Sequence, residues 1–300
     1  MKTNRYSLTA IIFGGLLSGA AFAQAYEVPD YIALEIPQLE ATEVARHKAQ
    51  EAGQGAAADA DYFYAIVNSV IGKYDRGSGE FLDRWVGSRG GPIRHLNSCI
   101  AETGKLFCAN SNFPEVPMAS SIEVYATASM DHIQSLSLGV LEEGSLTWFD
   151  HLGDGWIAGF AHYDESGGLT YKDHSFASIV RYDSSWRRQG GWMLPETVIG
   201  RMKPHAASGG ALGPDGLLYL TGHDSMEMYV LAAPVMGPKL IHIATIAIEL
   251  EGQAFAFDKS ANTATVWGIS RPNREVRAFQ LPSIELPEGL RPLTAISFEL

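Results

Sequence analysis

The stretch HAASGGALGPDGLLYLTGHD, residues 205–224, is apolar through its middle and polar at both ends. Two short strands around Pro214-Asp215-Gly216 account for the middle, because a Pro-Asp-Gly tripeptide between apolar runs is turn chemistry. Folding at that turn brings His205 and Ser208 beside His223 and Asp224. The same shape recurs in GQGAAADADYFYAIVNSVIGKYD (53–75), HLNSCIAETGKLFCANSN (95–112), SLTWFDHLGDGWIAGFAHYD (145–164) and GQAFAFDKSANTATVWGISRP (252–272). Hairpins therefore begin near 53, 95, 145, 205 and 252. Further β-rich runs follow them: VIGKYD, SIEVYAT and SIVRYDSSW read as third strands, and EFLDRWVG, HIQSLSLG and IHIATIAIEL as fourth strands.

Repeats of roughly 40–60 residues with about four short strands each predict an all-β fold, a single β-propeller whose blades surround an axis. Five blades are counted; six remain open if a degenerate repeat is hidden. The last hairpin is followed by EVRAFQLP and no certain fourth strand. YIALEIPQLEA (31–41) precedes the first blade as IHIATIAIELEG precedes the last, so it is expected to close the ring as the missing outer strand. The C-terminal LTAISFEL is its rival. TEVARHKAQEA (42–52) is charged and helix-prone, and is expected to be a solvated insertion. The loops NSNFPEVPMAS (110–120) and YDESGGLTYKDHSF (163–176) are long for a compact domain, a property that goes with function or mobility.

The first residues break the pattern. Lys2 and Arg5 precede an apolar run, and AFAQA supplies small residues at cleavage spacing, so residues 1–23 read as an export signal cut after Ala23, with Ala25 fitting also. The propeller then occupies 26–300, is periplasmic or extracellular, and contains no membrane span. Loss of Lys2 and Arg5 moves the formal charge from −12 to −14. That surface repels a phosphate backbone, so nucleic acid is excluded as a partner, and the Trp-Arg-Arg clump at 186–188 reads as a solvated strand end. If Thr103-Gly104 forms a two-residue turn, Cys99 faces Cys108 directly. Export supplies the oxidant, so a disulfide is expected; two buried thiols are the alternative.

GPDGLLYLTG (213–222) resembles the inner hairpin of NHL-type and SMP-30-type propellers. The whole arrangement is similar to secreted propellers described as cycloisomerase-like. The resemblance implies architecture more than activity. SMP-30-type lactonases hold one divalent ion with carboxylate and Asn ligands, whereas this chain offers mainly His at comparable places, so that ligand set does not carry over.

Counting outward from each turn, Ser208 lies across from His223, His95 from Asn112, Asn97 from Asn110, and Ser145 from His162. Gln253 lies near Ile269 and Glu251 beside Arg271. All these ends fall on one rim, and inner strands line the axis, so a shared pocket is expected there. Neutral imidazoles from His95, His162 and His223 suit one Zn, Fe or Cu ion with an open position. Without metal, the same imidazoles titrate near neutrality and can transfer protons, with Glu251 as base or orienting group. Asn97, Asn110, Gln253, Arg271 and His205 are candidates for holding a small-molecule substrate, Arg271 by a bidentate grip on a carboxylate.

Several chemistries lack their signatures. There is no Gly-x-Ser-x-Gly elbow, no His-Glu-x-x-His helix, no P-loop and no dinucleotide fingerprint. Trp148, Trp156 and Trp267 read as core fillers. Two function classes stay open. One is an exported enzyme acting on a small organic acid, lactone or sugar-derived ring, a hydrolase or (cyclo)isomerase. The alternative is a non-catalytic binding module for a glycan, peptide or partner protein; fold alone does not choose between them, and the convergence of several titratable groups favours the enzyme.

Overall fold

Each of the five repeats folds into one antiparallel sheet, and the sheets form a five-bladed β-propeller. The computed structural model describes residues 30–296. The expected export signal lies outside the described residues. Residues 30–34 form no helix or strand and separate from the compact body that begins at Glu35.

The first three blades are built from consecutive strands. They run Gly55–Ala58, Tyr62–Val67, Val70–Asp75 and Phe81–Val86; His95–Glu102, Lys105–Ser111, Ala119–Ala126 and His132–Val140; and Ser145–Leu152, Gly155–Ala161, Ser178–Tyr182 and Arg188–Met193. The fourth uses Gly209–Leu212, Leu218–Thr221, Glu227–Ala232 and Ile241–Ala247. The fifth has an inner strand of only two residues, Ala256–Phe257, followed by Thr265–Ser270 and Glu275–Gln280. The inner strands of neighbouring blades touch all the way around the ring. Small residues allow that approach: a Cβ on Gly209 would lie 2.3 Å from the Gln253 carbonyl oxygen.

An N-terminal strand closes the ring, but a different one from that expected. Of 31–41, only Gln38–Glu40 is a strand, and it adds in parallel to the outer edge of the fourth blade, Gln38 opposite Thr245. The true closing strand is Thr42–Lys48, antiparallel to Glu275–Gln280. The expectation of a helix-prone insertion at 42–52 is therefore overturned. Half-buried Glu43, Ala45 and His47 alternate with exposed Thr42, Val44, Arg46 and Lys48, a period of two that fits an edge strand. Helix preference amounts to tenths of a kcal/mol per residue, roughly 0–0.7, and a six-residue ladder outweighs it. In the C-terminal rival segment, Leu293–Ala295 is a 3-10 turn, and 297–300 lie outside the described residues.

Outside the blades, a short helix, Glu196–Met202, joins the third to the fourth and buries Val198, Ile199 and Met202. No helix among the described residues is long and apolar enough to cross a membrane. Cys99 and Cys108 are direct cross-strand partners and form a disulfide with S–S 2.02 Å, both fully buried. The bridge closes a loop of about ten residues, for which chain-entropy arithmetic gives about 2–3 kcal/mol. Cys99→Ala/Cys108→Ala is expected to lower unfolding free energy by at least that amount in urea titrations. An unchanged midpoint would remove the disulfide from the stability account.

Candidate functional site

The blade ends do gather polar groups at the rim where each inner strand begins, and register decides which. In the fourth blade the ladder runs from Leu212–Leu218 out to Gly209–Thr221, with Ser208 N–H donating to the Thr221 carbonyl at 3.1 Å. Just beyond it the Asp224 carboxylate accepts from both imidazoles, His205 Nδ1 to Oδ2 at 2.7 Å and His223 Nδ1 to Oδ1 at 2.6 Å. The two rings stack with centroids 3.9 Å apart and 28° between planes. Tyr163, from the end of the third blade's second strand, packs edge-on against both at 4.8 and 5.8 Å, and its hydroxyl meets Ser208 Oγ at 2.9 Å.

The fifth blade secures the pair. Arg271 Nη2 and Gln253 Nε2 donate to the His223 carbonyl at 3.1 and 3.3 Å, and the same guanidinium nitrogen lies 3.8 Å from Asp224 Oδ1. Gln253 adopts φ +70°, and its own carbonyl accepts from Thr221 Oγ1 at 2.5 Å. Burial lowers the His223 pKa, outweighing the hydrogen bond and charge of Asp224. Burial alone would raise the Asp224 pKa, but hydrogen bonds from His223 and His205 hold it below the usual carboxylate value. Asp224 is thus ionised and His223 neutral at neutral pH. Because a carboxylate only accepts, each Nδ1 carries the proton it donates, and the neutral His223 keeps the lone pair of its Nε2.

His95, the first residue of the second blade, completes the group. Burial, followed by the charge on His223, pushes its pKa down to about 4. Its Nδ1 faces Asn68 Oδ1 at 3.1 Å, and its ring lies 5.4 Å from Phe113 in the first long loop. With Asn97, Phe113, Ser145, Thr147, Ala161 and Tyr163 it encloses a cavity of about 10 Å³, room for roughly one water. The buried Ser145 Oγ has no hydrogen-bond partner there.

Not every expected residue arrives. His162 is buried just past the end of its strand, its ring 6.5 Å from Phe176, with no hydrogen-bond partner of good geometry for Nε2. It does not join His95 and His223, so the expected ligand trio is not assembled. Its counted partner also changes: a β-bulge, a register shift between Leu146 and Trp148, pairs Ser145 with Ala161 instead of His162. A second shift, between Leu96 and Cys99, sets His95 opposite Ser111 and Leu96 opposite Asn110. Asn110 is a fastener: its Oδ1 accepts from the Arg94 and His95 backbone N–H at 3.1 and 3.2 Å, and its Nδ2 donates to Ser121. Glu251 accepts from Ser270 Oγ at 2.9 Å and from the Arg271 N–H at 3.1 Å, which places Arg271. Tyr163, Asn68 and Phe113 were missed. Tyr163 lies one residue beyond His162, so a count blind to the bulge selects the wrong neighbour.

With that geometry in hand, comparison with known proteins adds little. No family model and no curated protein matches the chain. Among solved structures the chain is similar to one described as the crystal structure of RRP9 WD40 repeats, at 12% identity over 76% of this chain and 79% of that one, with TM-score 0.43. It is likewise similar to the structure of U3-55K, at 12% identity over 75% and 80%, TM-score 0.43. Similarity at this level says nothing about the site.

The opposite rim carries a larger cavity of about 370 Å³ bordered by Asp150, His151, Phe257 and Lys259. Burial raises the Asp150 pKa against the counter-pull of Lys259 and two backbone N–H donors, Leu212 and His151. Lys259 Nζ lies 3.0 Å from Glu102 and 3.8 Å from Asp150, while His151 Nε2 meets Glu102 at 2.8 Å and stacks on Trp156. These charged groups are largely satisfied by one another.

Proposed function

We propose that this chain is an exported, non-catalytic binding propeller that docks an extended polypeptide segment of a partner protein on the rim of His95, His205, His223, Asp224 and Arg271. The observation that carries this reading is that the rim's reactive groups already serve one another. Asp224 is shared by two imidazoles, Glu251 is committed to Ser270 and the Arg271 backbone, and the cavity beside His95 is about 10 Å³. A lactone or sugar-derived ring has no room to sit among groups that would act on it, whereas a surface-docked chain needs none. For these reasons the hydrolase or isomerase reading is not favoured.

A polypeptide suits the rim better than a glycan. Sugars are held by exposed aromatic faces, yet Trp148 and Trp267 are buried and Trp156 stacks on His151 at the far rim. Extended peptide offers N–H donors for the His223 Nε2 lone pair and Asp224, and C=O acceptors for Arg271. On an array of short peptides and glycans, the mature chain is expected to retain peptides. His223→Ala/Arg271→Ala should weaken retention about tenfold or more, the effect of losing one well-placed polar anchor. Lys259→Ala on the far rim should leave it unchanged. Equal loss in both variants, glycan-only retention, or turnover of a lactone would overturn the reading.

A further inference from the structure

The sequence places His205 and His223 eighteen residues apart, at opposite ends of one hairpin, and the ladder Gly209–Thr221 returns them to ring-stacking distance. Two imidazole nitrogens and one carboxylate then lie with one ligand atom from each within 4.8 Å of the others. From this juxtaposition we infer that His205, His223 and Asp224 form a binding site for one divalent transition-metal ion, of the zinc, nickel or copper type. The inference shares a face with the docking reading but does not depend on it.

The donor set selects the ion class. Two nitrogens and one oxygen suit borderline metals, while calcium and magnesium call for six or more oxygens. Both Nδ1 atoms already converge on Asp224, at 2.7 and 2.6 Å. Ligand atoms around a tetrahedral ion with bonds of about 2.0–2.2 Å stand roughly 3.5 Å apart, so those contacts must open by somewhat under 1 Å, a side-chain adjustment. The proton account balances without release: each imidazole gives Nδ1 to the ion and carries its proton on Nε2, remaining neutral. Surrounding contacts hold the ligands in place, which is what outer groups do around a metal. Tyr163 packs on both rings, and Gln253 and Arg271 grip the His223 carbonyl.

Two features set the site's character. Asp224 is 57% exposed, so the ion's remaining coordination positions face outward, where a partner's imidazole or carboxylate can occupy one. The guanidinium 3.8 Å from Asp224 Oδ1 opposes a second positive charge, which keeps affinity moderate. This ligand set replaces the one expected from sequence: His223 is common to both, His205 and Asp224 enter, and His162 leaves.

Equilibrium dialysis of the full chain against Zn²⁺, with Co²⁺ absorption as a reporter of nitrogen and oxygen ligands, tests the site without any partner. One ion per chain is expected. His205→Ala/His223→Ala should weaken binding by about 100-fold and Asp224→Asn by about tenfold, in keeping with loss of ligands from a small site. Circular dichroism of each variant checks that the sheets persist. Asp164, Asp173 and His174 form a second grouping of donors in the long loop, so His174→Ala is the control and should change nothing. Absence of saturable binding, binding that survives the double variant, or binding lost in His174→Ala would each overturn the assignment. If peptide retention on the array persists in a chelator while zinc binding fails, docking stands and the metal site falls.

Discussion

A chain beginning at Ala49 is expected to lose its ring and to aggregate or melt at least about 10 °C lower than the intact chain. The reason lies in how the fifth blade is made. Its own sequence supplies only Ala256–Phe257, Thr265–Ser270 and Glu275–Gln280, and Thr42–Lys48 provides the outer edge. Six residue pairs join that edge to Glu275–Gln280, from Thr42–Gln280 to Lys48–Glu275. At roughly 0.5–1.5 kcal/mol net for each ladder hydrogen bond, about 5 kcal/mol resides in the backbone alone. Side chains add to it: His47 stacks on Phe63 at 5.1 Å, and Lys48 pairs with Glu275 at 2.8 Å. That is a large share of the roughly 5–15 kcal/mol that holds a domain together.

Truncation also uncovers Val276, Ala278 and Phe279 along a strand with unpaired backbone groups, a template for self-association. A synthetic peptide spanning 35–49, added during refolding, is expected to restore a monomer, because one contiguous segment carries both missing edge strands, Gln38–Glu40 and Thr42–Lys48. Size-exclusion chromatography and a thermal melt of both samples check the outcome. A truncated chain that stays monomeric with an unchanged melt would mean the ring is closed by something other than this strand.

The architecture was legible because repeats expose it. Hairpins placed near 53, 95, 145, 205 and 252 match inner strands beginning at Gly55, His95, Ser145, Gly209 and Ala256, and VIGKYD is the strand Val70–Asp75 residue for residue. Closure by an N-terminal strand was legible too, since the last blade lacked an edge. Its identity was not. Glu, Ala, Arg and Lys in TEVARHK favour helix locally, and the partner that overrides them, Glu275–Gln280, lies more than 220 residues away. Tertiary pairing of this kind leaves only the faint two-residue alternation in the sequence.

The candidate site was legible only as far as register was. In the fourth blade Gly209 pairs with Thr221, one residue off the count that set Ser208 opposite His223, yet His205 and His223 still meet at Asp224, Gln253 and Arg271 reach the His223 carbonyl, and Glu251 contacts Arg271 as counted. In the second and third, one bulge each shifts the outer pairs by a residue. Each bulge adds a residue to an inner strand, Thr147 in the third blade, so pairs counted outward from the turn run one residue off at the rim. No turn motif announces a bulge inside a strand, so the pairs Ser145–His162 and Asn97–Asn110 could not be counted correctly from spacing, although Asn97 does line the cavity beside His95.

Trp148→Ala is expected to cost about 3–5 kcal/mol, the range for deleting a buried aromatic. Trp148 is fully buried between the third and fourth blades, among Leu218, Leu220 and Tyr229. Two glycines make its room. Gly159 is its direct cross-strand partner, where a Cβ would lie 2.1 Å from the indole Nε1, and Gly210 belongs to the next blade's inner strand, where a Cβ would lie 2.3 Å from Cε2. Gly159→Ala alone should therefore overpack the site and cost about 1–3 kcal/mol.

The two changes should not add. In Trp148→Ala/Gly159→Ala the new methyl enters space the indole has left, so the clash disappears and the cavity shrinks slightly. The double variant is expected to be no less stable than Trp148→Ala, giving a coupling of about 1–3 kcal/mol in a urea-denaturation cycle. The effect reaches the rim, because the adjacent Thr147 Oγ1 donates to the Ala207 carbonyl at 2.8 Å and so anchors the segment that carries His205. Zinc binding by Trp148→Ala, measured well below its unfolding midpoint, should weaken along with stability. Additive costs in the cycle would mean that the glycines do not make room for the indole.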